Sequence, residues 1–208
     1  MRDYNITKKE GILEGASILY GSASELKATL EYDLMLEKNF SYKNLSMSEI
    51  IHHLSIFVSR LWQIHMFGEG NTRTTAVFFI KYLRILGFDA KNDIFAKNAW
   101  YFRNALVRAN YNDIKRGIHE TTEYLELFLR NLLLNEKNEL RNRELHISKV
   151  FSQKEKVDIQ ELLLAGSNTI SQKTINHTID LYSIYGSKQH FGRSDVEKNN
   201  WVKIFWSF

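Results

Sequence analysis

Nine consecutive residues, His65 to Arg73, combine side chains that together could act on a phosphorylated ligand. His65 can serve as a general base near neutral pH, and Glu69 offers the hard oxygen that Mg²⁺ prefers. Asn71 can donate a neutral hydrogen bond to a phosphate oxygen, and Arg73 can bind phosphate through its planar guanidinium. A base, a cation ligand and two phosphate contacts in one short segment predict phosphoryl-transfer chemistry.

Gly68 and Gly70 shape the backbone of this loop. Two glycines this close together favour a turn and let backbone N–H groups approach a ligand. Apolar residues at helical spacing lie on both sides, so the loop is predicted to join two helices. It would end at the N-terminus of the second helix, near Thr72, where unpaired N–H groups and the helix dipole favour an anion.

The same periodicity predicts a mostly helical chain. Ser24 is expected to cap the first helix, and Ser46 and Ser48 precede a stronger one. The helix after Thr72 is apolar on nearly all sides and is expected to lie in the middle of the fold. The predicted helices cover roughly 24–34, 48–66, 72–87, 98–110 and 119–134. Ahead of them, the apolar pieces on either side of the turn at Glu14–Gly15 predict a β-hairpin.

Composition excludes several kinds of protein. The 208-residue chain is 44% hydrophobic, enough for a buried core, and contains neither proline nor cysteine. The absence of cysteine excludes disulfides, thiolate metal sites and cysteine nucleophiles. Together with the lack of a signal peptide, it indicates a cytoplasmic protein. No apolar run is long enough to span a membrane, so no membrane partner is expected.

The charge distribution argues against DNA as a partner. The formal net charge is +4, with 16 basic and 15 acidic residues over 1–129 and 12 and 9 over 130–208. A nucleic-acid module usually concentrates more positive charge than this. The chain is therefore not expected to bind DNA.

The loop resembles the signature of the Fic/Doc family of protein adenylyltransferases: His, any, Phe, any, Asp or Glu, Gly, Asn, any, Arg. The runs Trp62–His65, Asn71–Thr75 and Trp100–Leu106 are also similar to that family. The resemblance covers about residues 2–134. It implies an all-α helical bundle of Fic fold with a short β-hairpin flap. It also implies that the protein uses Mg²⁺ and ATP to transfer AMP to a Tyr, Ser or Thr hydroxyl of a target protein.

The resemblance implies a role for each matching residue. His65 would accept the proton of the target hydroxyl, and Glu69 would hold Mg²⁺ on the α- and β-phosphates. The residues implied to bind the nucleotide, including a wall for adenine, are Gly68, Gly70, Asn71, Thr72, Arg73, Tyr101 and Asn104. The flap that docks the target by strand addition would contain Leu13, Glu14 and Gly15.

Several positions near the loop bear on these expectations. Phe67 matches the family and would point into the core, anchoring the loop. Ala76 stands where the family has a second Arg, and a lost phosphate contact of that kind is worth roughly 1.5–3 kcal/mol. Met66 stands where the family often has Pro, which predicts a looser loop. The helices that open the family's fold are expected to be missing ahead of residue 1.

The predicted domains are a Fic domain over 1–135, a linker over 136–150 and a partial winged-helix segment over 151–208. Phe191–Val196 resembles the start of a helix-turn-helix, whereas an aromatic tail replaces the expected recognition helix. Two alternatives stay open for the function: a catalytically impaired nucleotide-binding or regulatory protein, and a Doc-like phosphotransferase. The oligomeric state is also left open.

Overall fold

The structure, a computed structural model, describes residues 1–149. Within this range the chain forms two short strands and six α-helices. They are β1 (Thr7–Lys9), β2 (Ser17–Leu19), α1 (Leu26–Asn39), α2 (Met47–Ile64), α3 (Asn71–Ile85), α4 (Asn92–Lys97), α5 (Ala99–Arg108) and α6 (Glu123–Leu134). The prediction of an all-α fold with a short hairpin is confirmed. The predicted winged-helix segment, 151–208, lies outside the described residues.

The hairpin is present; its second strand, β2, is the one expected from the sequence, and its first strand is not. β1 and β2 pair antiparallel, with Thr7 opposite Leu19 and Lys9 opposite Ser17. The apolar piece before Glu14 belongs to the connection, since residues 11–13 form a single 3-10 turn. β1 was not predicted because its sequence, Thr-Lys-Lys, does not alternate apolar and polar residues.

Helix α2 is the central element of the described domain. It begins with a capping box, in which the Ser46 hydroxyl accepts from the Glu49 N–H and the Glu49 carboxylate accepts from the Ser46 N–H. It packs against α1, α3 and α6. Its buried side chains follow a broad apolar stripe, as predicted.

Four details of the helices differ from the predictions. Helix α3 is not buried all round, because Val77 and Ile85 are 48% and 62% exposed. Ser24 does not cap α1; it lies inside a 3-10 turn, and Glu25 is the residue that precedes the helix. The short helix α4 was not predicted, and α6 starts at Glu123 rather than near residue 119.

The segment predicted as a linker is packed on the domain as far as residue 149. Leu145 and Ile147 are fully buried, and the Tyr124 hydroxyl donates to the carbonyl of Glu144 at 2.9 Å. Asn138 exchanges two hydrogen bonds with the Asn131 side chain just after α6. The segment is charged and aperiodic, so its two buried side chains gave no helical or strand signal.

No helix within residues 1–149 is both long and apolar enough to cross a membrane.

Candidate functional site

His65 lies where α2 ends. Its backbone is left-handed, with φ 53° and ψ 57°, and its N–H donates to the Trp62 carbonyl at 3.1 Å. A left-handed residue at a helix C-terminus turns the chain sharply away from the helix axis. The turn brings the imidazole against the hairpin and directs the following residues into the loop.

The His65 side chain is enclosed by aromatic rings. It is 4% exposed and stacks on Tyr20, with ring centroids 3.7 Å apart and planes at 25°. Trp62 meets it edge-on at 5.7 Å. Both ring nitrogens are inaccessible to solvent and have no hydrogen-bond partner among the described residues. A buried polar group left unpaired costs about 1–3 kcal/mol, so the ring is held there against a penalty.

Burial also sets the protonation state of His65. Loss of hydration lowers the pKa of the imidazole to about 4, and the positive charges of Lys8, Arg2 and Arg103 act in the same direction. The ring is therefore neutral at physiological pH. A neutral imidazole can accept a proton, which a general base must do.

Arg2 fixes the backbone at this corner, a role that was not predicted from the sequence. Arg2 is 6% exposed, and its backbone N–H donates to the Met66 carbonyl at 2.8 Å. Burial lowers the pKa of its guanidinium. The guanidinium donates to carbonyl oxygens of four residues: Tyr4, Gly21, Ile64 and His65. These bonds connect residue 2 to the end of α2. The carbonyl oxygens also compensate the positive charge of the buried guanidinium.

The loop after His65 is closed by Asn71. Its side-chain amide donates to the Phe67 carbonyl at 2.7 Å, and its amide oxygen accepts from the Phe67 N–H at 2.9 Å. Asn71 is 6% exposed, so water competes little for these two hydrogen bonds, and they stabilise the closed loop. A contact from Asn71 to phosphate would use the second N–H of the same amide.

Phe67 does not play the anchoring role expected of it. Its side chain is half-buried, whereas Met66 is 3% exposed and fills the interior. A loop has no fixed alternation of inside and outside positions, so sequence could not decide which of the two apolar residues points inward. The prediction of a looser loop at Met66 is likewise not supported, because this buried side chain adds packing.

The far end of the loop is the N-terminus of α3, predicted from the sequence to favour an anion. Gly70 precedes α3 with φ 78°, and the first helical bond runs from the Thr74 N–H to the Gly70 carbonyl. The N–H groups of Asn71, Thr72 and Arg73 precede that bond and have no carbonyl partner within the helix. α3 spans 15 residues, so its dipole adds positive potential at this end.

Two charged side chains flank this helix end. Glu69 and Arg73 are both exposed, and neither forms an ion pair within residues 1–149. The Arg73 guanidinium folds back toward Gly70, where an added Cβ would lie 3.9 Å from Nη2. Thr72 has a hydrogen-bond partner, since its hydroxyl accepts from Trp62 Nε1 at 2.9 Å. This bond joins the start of α3 to Trp62, one of the rings that enclose His65.

No group of three or more His, Cys, Asp or Glu side chains that could hold a metal occurs within residues 1–149. Glu69 is the predicted metal ligand, and its carboxylate is exposed beside the free helix N–H groups. Mg²⁺ commonly binds through one or two carboxylates, substrate phosphates and water. The donor set therefore fits a magnesium ion carried on a bound phosphate and does not fit an independent metal site.

Tyr4 lies over the loop. A Cβ added to Gly68 would lie 2.7 Å from the Tyr4 hydroxyl, although the Tyr4 side chain is 55% exposed. Gly68 therefore leaves room for this phenol against the loop backbone. The contact was not predicted from the sequence, since 64 positions separate the two residues.

The predicted adenine wall is mostly buried within α5. Tyr101 is 2% exposed and Asn104 is 8% exposed, and the Asn104 amide donates to Asn142 at 2.9 Å. The large α5 side chains that reach the surface are Trp100, which is 69% exposed, and Arg103, which is 31% exposed. The assignment of Tyr101 and Asn104 to adenine stays a prediction.

The flap residues fall into two groups. Leu13 is fully buried, so its side chain is a core contact and not a docking surface. Glu14 is exposed, left-handed at φ 54°, and paired with Arg116 at 2.9 Å; Gly15 follows at φ 83°. Docking of a target at Glu14 and Gly15 stays a prediction.

Comparison with protein-family models gives one finding. The model of the Fic/DOC family matches residues 4–83, which span the hairpin, α1, α2, the loop and most of α3. None of the curated proteins and none of the solved structures matches the chain.

Proposed function

We propose, on the basis of the Fic/DOC family match over residues 4–83, that the chain is a protein adenylyltransferase that moves AMP from ATP to a hydroxyl of a target protein. Fic proteins generally transfer a nucleoside monophosphate to proteins and use ATP with Mg²⁺. The finer assignment, AMP onto a Tyr, Ser or Thr side chain, is our proposal for this chain.

One observation carries the proposal. A neutral imidazole, His65, ends one helix, and six residues later a second helix begins with free N–H groups. The segment between them presents the carboxylate of Glu69, and Arg73 adds a guanidinium on the first turn of α3. An imidazole, unpaired helix N–H groups, a carboxylate and a guanidinium thus belong to one short segment, which supports the proposal because phosphoryl transfer uses groups of these kinds.

In the proposed reaction, the target hydroxyl donates its proton to a ring nitrogen of His65 as its oxygen attacks the α-phosphorus of ATP. The new O–P bond forms as the bond to the bridging oxygen breaks, and pyrophosphate leaves. The N–H groups at the start of α3 bind the negative charge that builds on the α-phosphate. Bound Mg²⁺, held by Glu69, would neutralise charge on the phosphates.

The enclosure of His65 sets a condition on this reaction. Because both ring nitrogens are buried, a target hydroxyl reaches them only after neighbouring side chains move. An incoming hydroxyl would then supply the hydrogen-bond partner that the imidazole lacks. We propose that the described arrangement is a resting arrangement, opened when the target docks.

Labelled ATP tests the proposal. The protein is incubated with Mg²⁺, candidate acceptor proteins and ATP labelled either at the α- or the γ-phosphate. Protein-bound label from the α-phosphate alone is the expected result. Label from the γ-phosphate alone would instead show a kinase and contradict the proposal.

A second candidate function is nucleotide binding without turnover. Two observations favour it: His65 is closed off, and Ala76 replaces an arginine that would contact phosphate. This candidate predicts saturable binding of Mg-ATP with no label transferred from either phosphate. Calorimetric titration with a non-hydrolysable ATP analogue, run beside the label experiment, separates it from loss of the site altogether.

A further inference from the structure

Tyr20 is the residue in closest ring contact with His65. It directly follows β2, is 5% exposed, and lies nearly parallel to the imidazole at a centroid distance of 3.7 Å. Stacking covers a face of the imidazole, whereas the nitrogens lie in its edge. The contact can therefore fix the orientation of the ring without using the atoms that would accept a proton.

Tyr20 is itself held on two sides. Trp62 packs edge-on against it, with centroids 5.3 Å apart and planes at 77°. The Tyr20 hydroxyl lies 3.5 Å from Glu10 Oε1, at the outer limit of a hydrogen bond. Burial, followed by the charge of Glu10, raises the pKa of the phenol, so it remains a neutral hydroxyl.

Glu10 connects Tyr20 to helix α5. Its carboxylate is 2% exposed, and Arg103 Nη2 lies 2.9 Å from one oxygen and 2.8 Å from the other. A buried carboxylate needs such a partner, because an unpaired charge in the interior is costly. The pair spans 93 positions of the sequence and ties the hairpin to the helix that carries the predicted adenine wall.

The charged and titratable groups around His65 come from several segments. Arg2 belongs to the chain start, Lys8 to β1 and Arg103 to α5, and all three disfavour a second positive charge on the imidazole. Glu10 and Tyr20 complete the set on the hairpin side. Tyr20 adds exclusion of water from the imidazole face, which acts in the same direction as the three cations.

We propose that Tyr20 is a positioning residue for the His65 imidazole, held in place by Trp62 and by the Glu10–Arg103 ion pair. The aromatic ring of Tyr20 orients the imidazole, and the hydroxyl contributes less because its contact with Glu10 is long. The kinetic consequence rests on the proposed AMP transfer. The effect on the His65 ring does not, so the two ideas can fail separately.

The test compares Tyr20→Leu, Tyr20→Phe and a matched control in the full chain. Tyr82→Leu is the control, because Tyr82 is equally buried and also donates to a buried carboxylate, Glu37. Titration of the imidazole by NMR, assigned through the spectrum of His65→Asn, measures the pKa of His65 in each protein. Transfer of α-label, at varied ATP concentration, separates kcat from KM.

The expected pattern is specific to the ring contact. In Tyr20→Leu the pKa of His65 rises by about one unit or more toward its ordinary value, since water reaches the ring. The kcat falls roughly ten- to hundredfold with little change in the KM for ATP, as expected for a misplaced base. Tyr20→Phe behaves like the native protein, and Tyr82→Leu leaves the titration of His65 unchanged.

Two results would overturn the proposal: a His65 titration in Tyr20→Leu identical to the native one, or an equal shift in Tyr82→Leu. If Tyr20→Leu does not fold, Tyr20→Met takes its place, because its unbranched side chain fills irregular space without a ring. If the native protein transfers no label, the proposed function fails, and the titration alone still decides the role of Tyr20.

Discussion

Two histidines of the same helix region stack on an aromatic ring, and they differ in what their nitrogens contact. His53, within α2, lies on Phe40 with centroids 3.4 Å apart, and its Nε2 pairs with Glu37 at 2.7 Å. His65, at the end of α2, lies on Tyr20 and has no partner for either nitrogen among the described residues. Stacking alone therefore does not distinguish a structural histidine from a catalytic candidate.

The surroundings of the two histidines differ in how many of the buried polar groups have a hydrogen-bond partner. Glu37 is buried and accepts from Tyr42 and Tyr82 besides pairing with His53, so every member of the cluster has a partner. Such a network stabilises the packing of α1, α2 and α3. At His65 the neighbours exclude water, and the interaction with the Trp62 backbone is too weak to pair either ring nitrogen. A group kept unpaired in the interior is a candidate for chemistry with an incoming partner.

The largest expected effect concerns the ion pair behind Tyr20. Arg103→Met leaves Glu10 buried without a cation and should destabilise the fold by about 3 kcal/mol, allowing for the partial exposure of Arg103. Urea unfolding at pH 7 measures it. The double variant Glu10→Leu/Arg103→Met should recover most of that loss, and failure to recover would mean that the pair is not the cause.

The titration of His65 gives an effect of similar size. Its pKa is about 4 in the folded protein and near 6.5 when unfolded, so only the unfolded chain binds the proton between these values. Its contribution is fully present above pH 6.5 and falls by up to about 3 kcal/mol as the pH drops to 4. Unfolding curves across this range should lose that slope in His65→Asn, a residue that tolerates the left-handed backbone. An unchanged slope would contradict the neutral, buried imidazole.

The contrasting histidine should affect stability more than function. His53→Ala removes one partner of buried Glu37 and is expected to destabilise by about 1–3 kcal/mol. Two tyrosines still donate to the carboxylate, which places the loss below that of Arg103→Met. Thermal unfolding measures the effect, and a gain in stability would show that the Glu37 cluster is not satisfied as described.

A smaller effect is expected where the loop meets the wall of the His65 site. Thr72→Val keeps the shape of the side chain but leaves Trp62 Nε1 without its acceptor. The expected loss is about 0.5–1.5 kcal/mol in urea unfolding. Thr74→Val, which removes only a bond to the carbonyl of Gly70 within α3, is the control and should lose less.

The smallest effect tests the contact of Tyr4 with the loop. Gly68→Ala forces the exposed Tyr4 side chain to move, which should cost less than about 1 kcal/mol because its flexible end can swing away. In a Tyr4→Ala background the same substitution should be neutral. A loss that persists there would assign the cost to the loop backbone instead.

The sequence was sufficient for the parts of the site that depend on local pattern. The ends of α2 and α3 and the loop between them followed from apolar periodicity and from the glycines. Ser46 and Ser48 were placed at the start of α2, and the structure shows that Ser46 is the cap. The family resemblance was confirmed by the match over residues 4–83.

What the sequence missed depends on contacts between distant positions. Arg2 binds the carbonyl of His65 across 63 positions, and Arg103 pairs with Glu10 across 93. The stack of Tyr20 on His65 likewise needs the hairpin to fold back onto the end of α2. No periodicity or motif encodes such pairings, which arise only when the elements pack together.

The most direct test of the central claim is the transfer of α-labelled AMP to protein by the native chain, His65→Ala and His53→Ala, assayed side by side with Mg²⁺. Label is expected with the native chain and His53→Ala, and a loss of roughly 10²–10⁴-fold is expected with His65→Ala. Equal labelling by the native chain and His65→Ala would contradict the central claim, because the unpartnered imidazole would then not be the base.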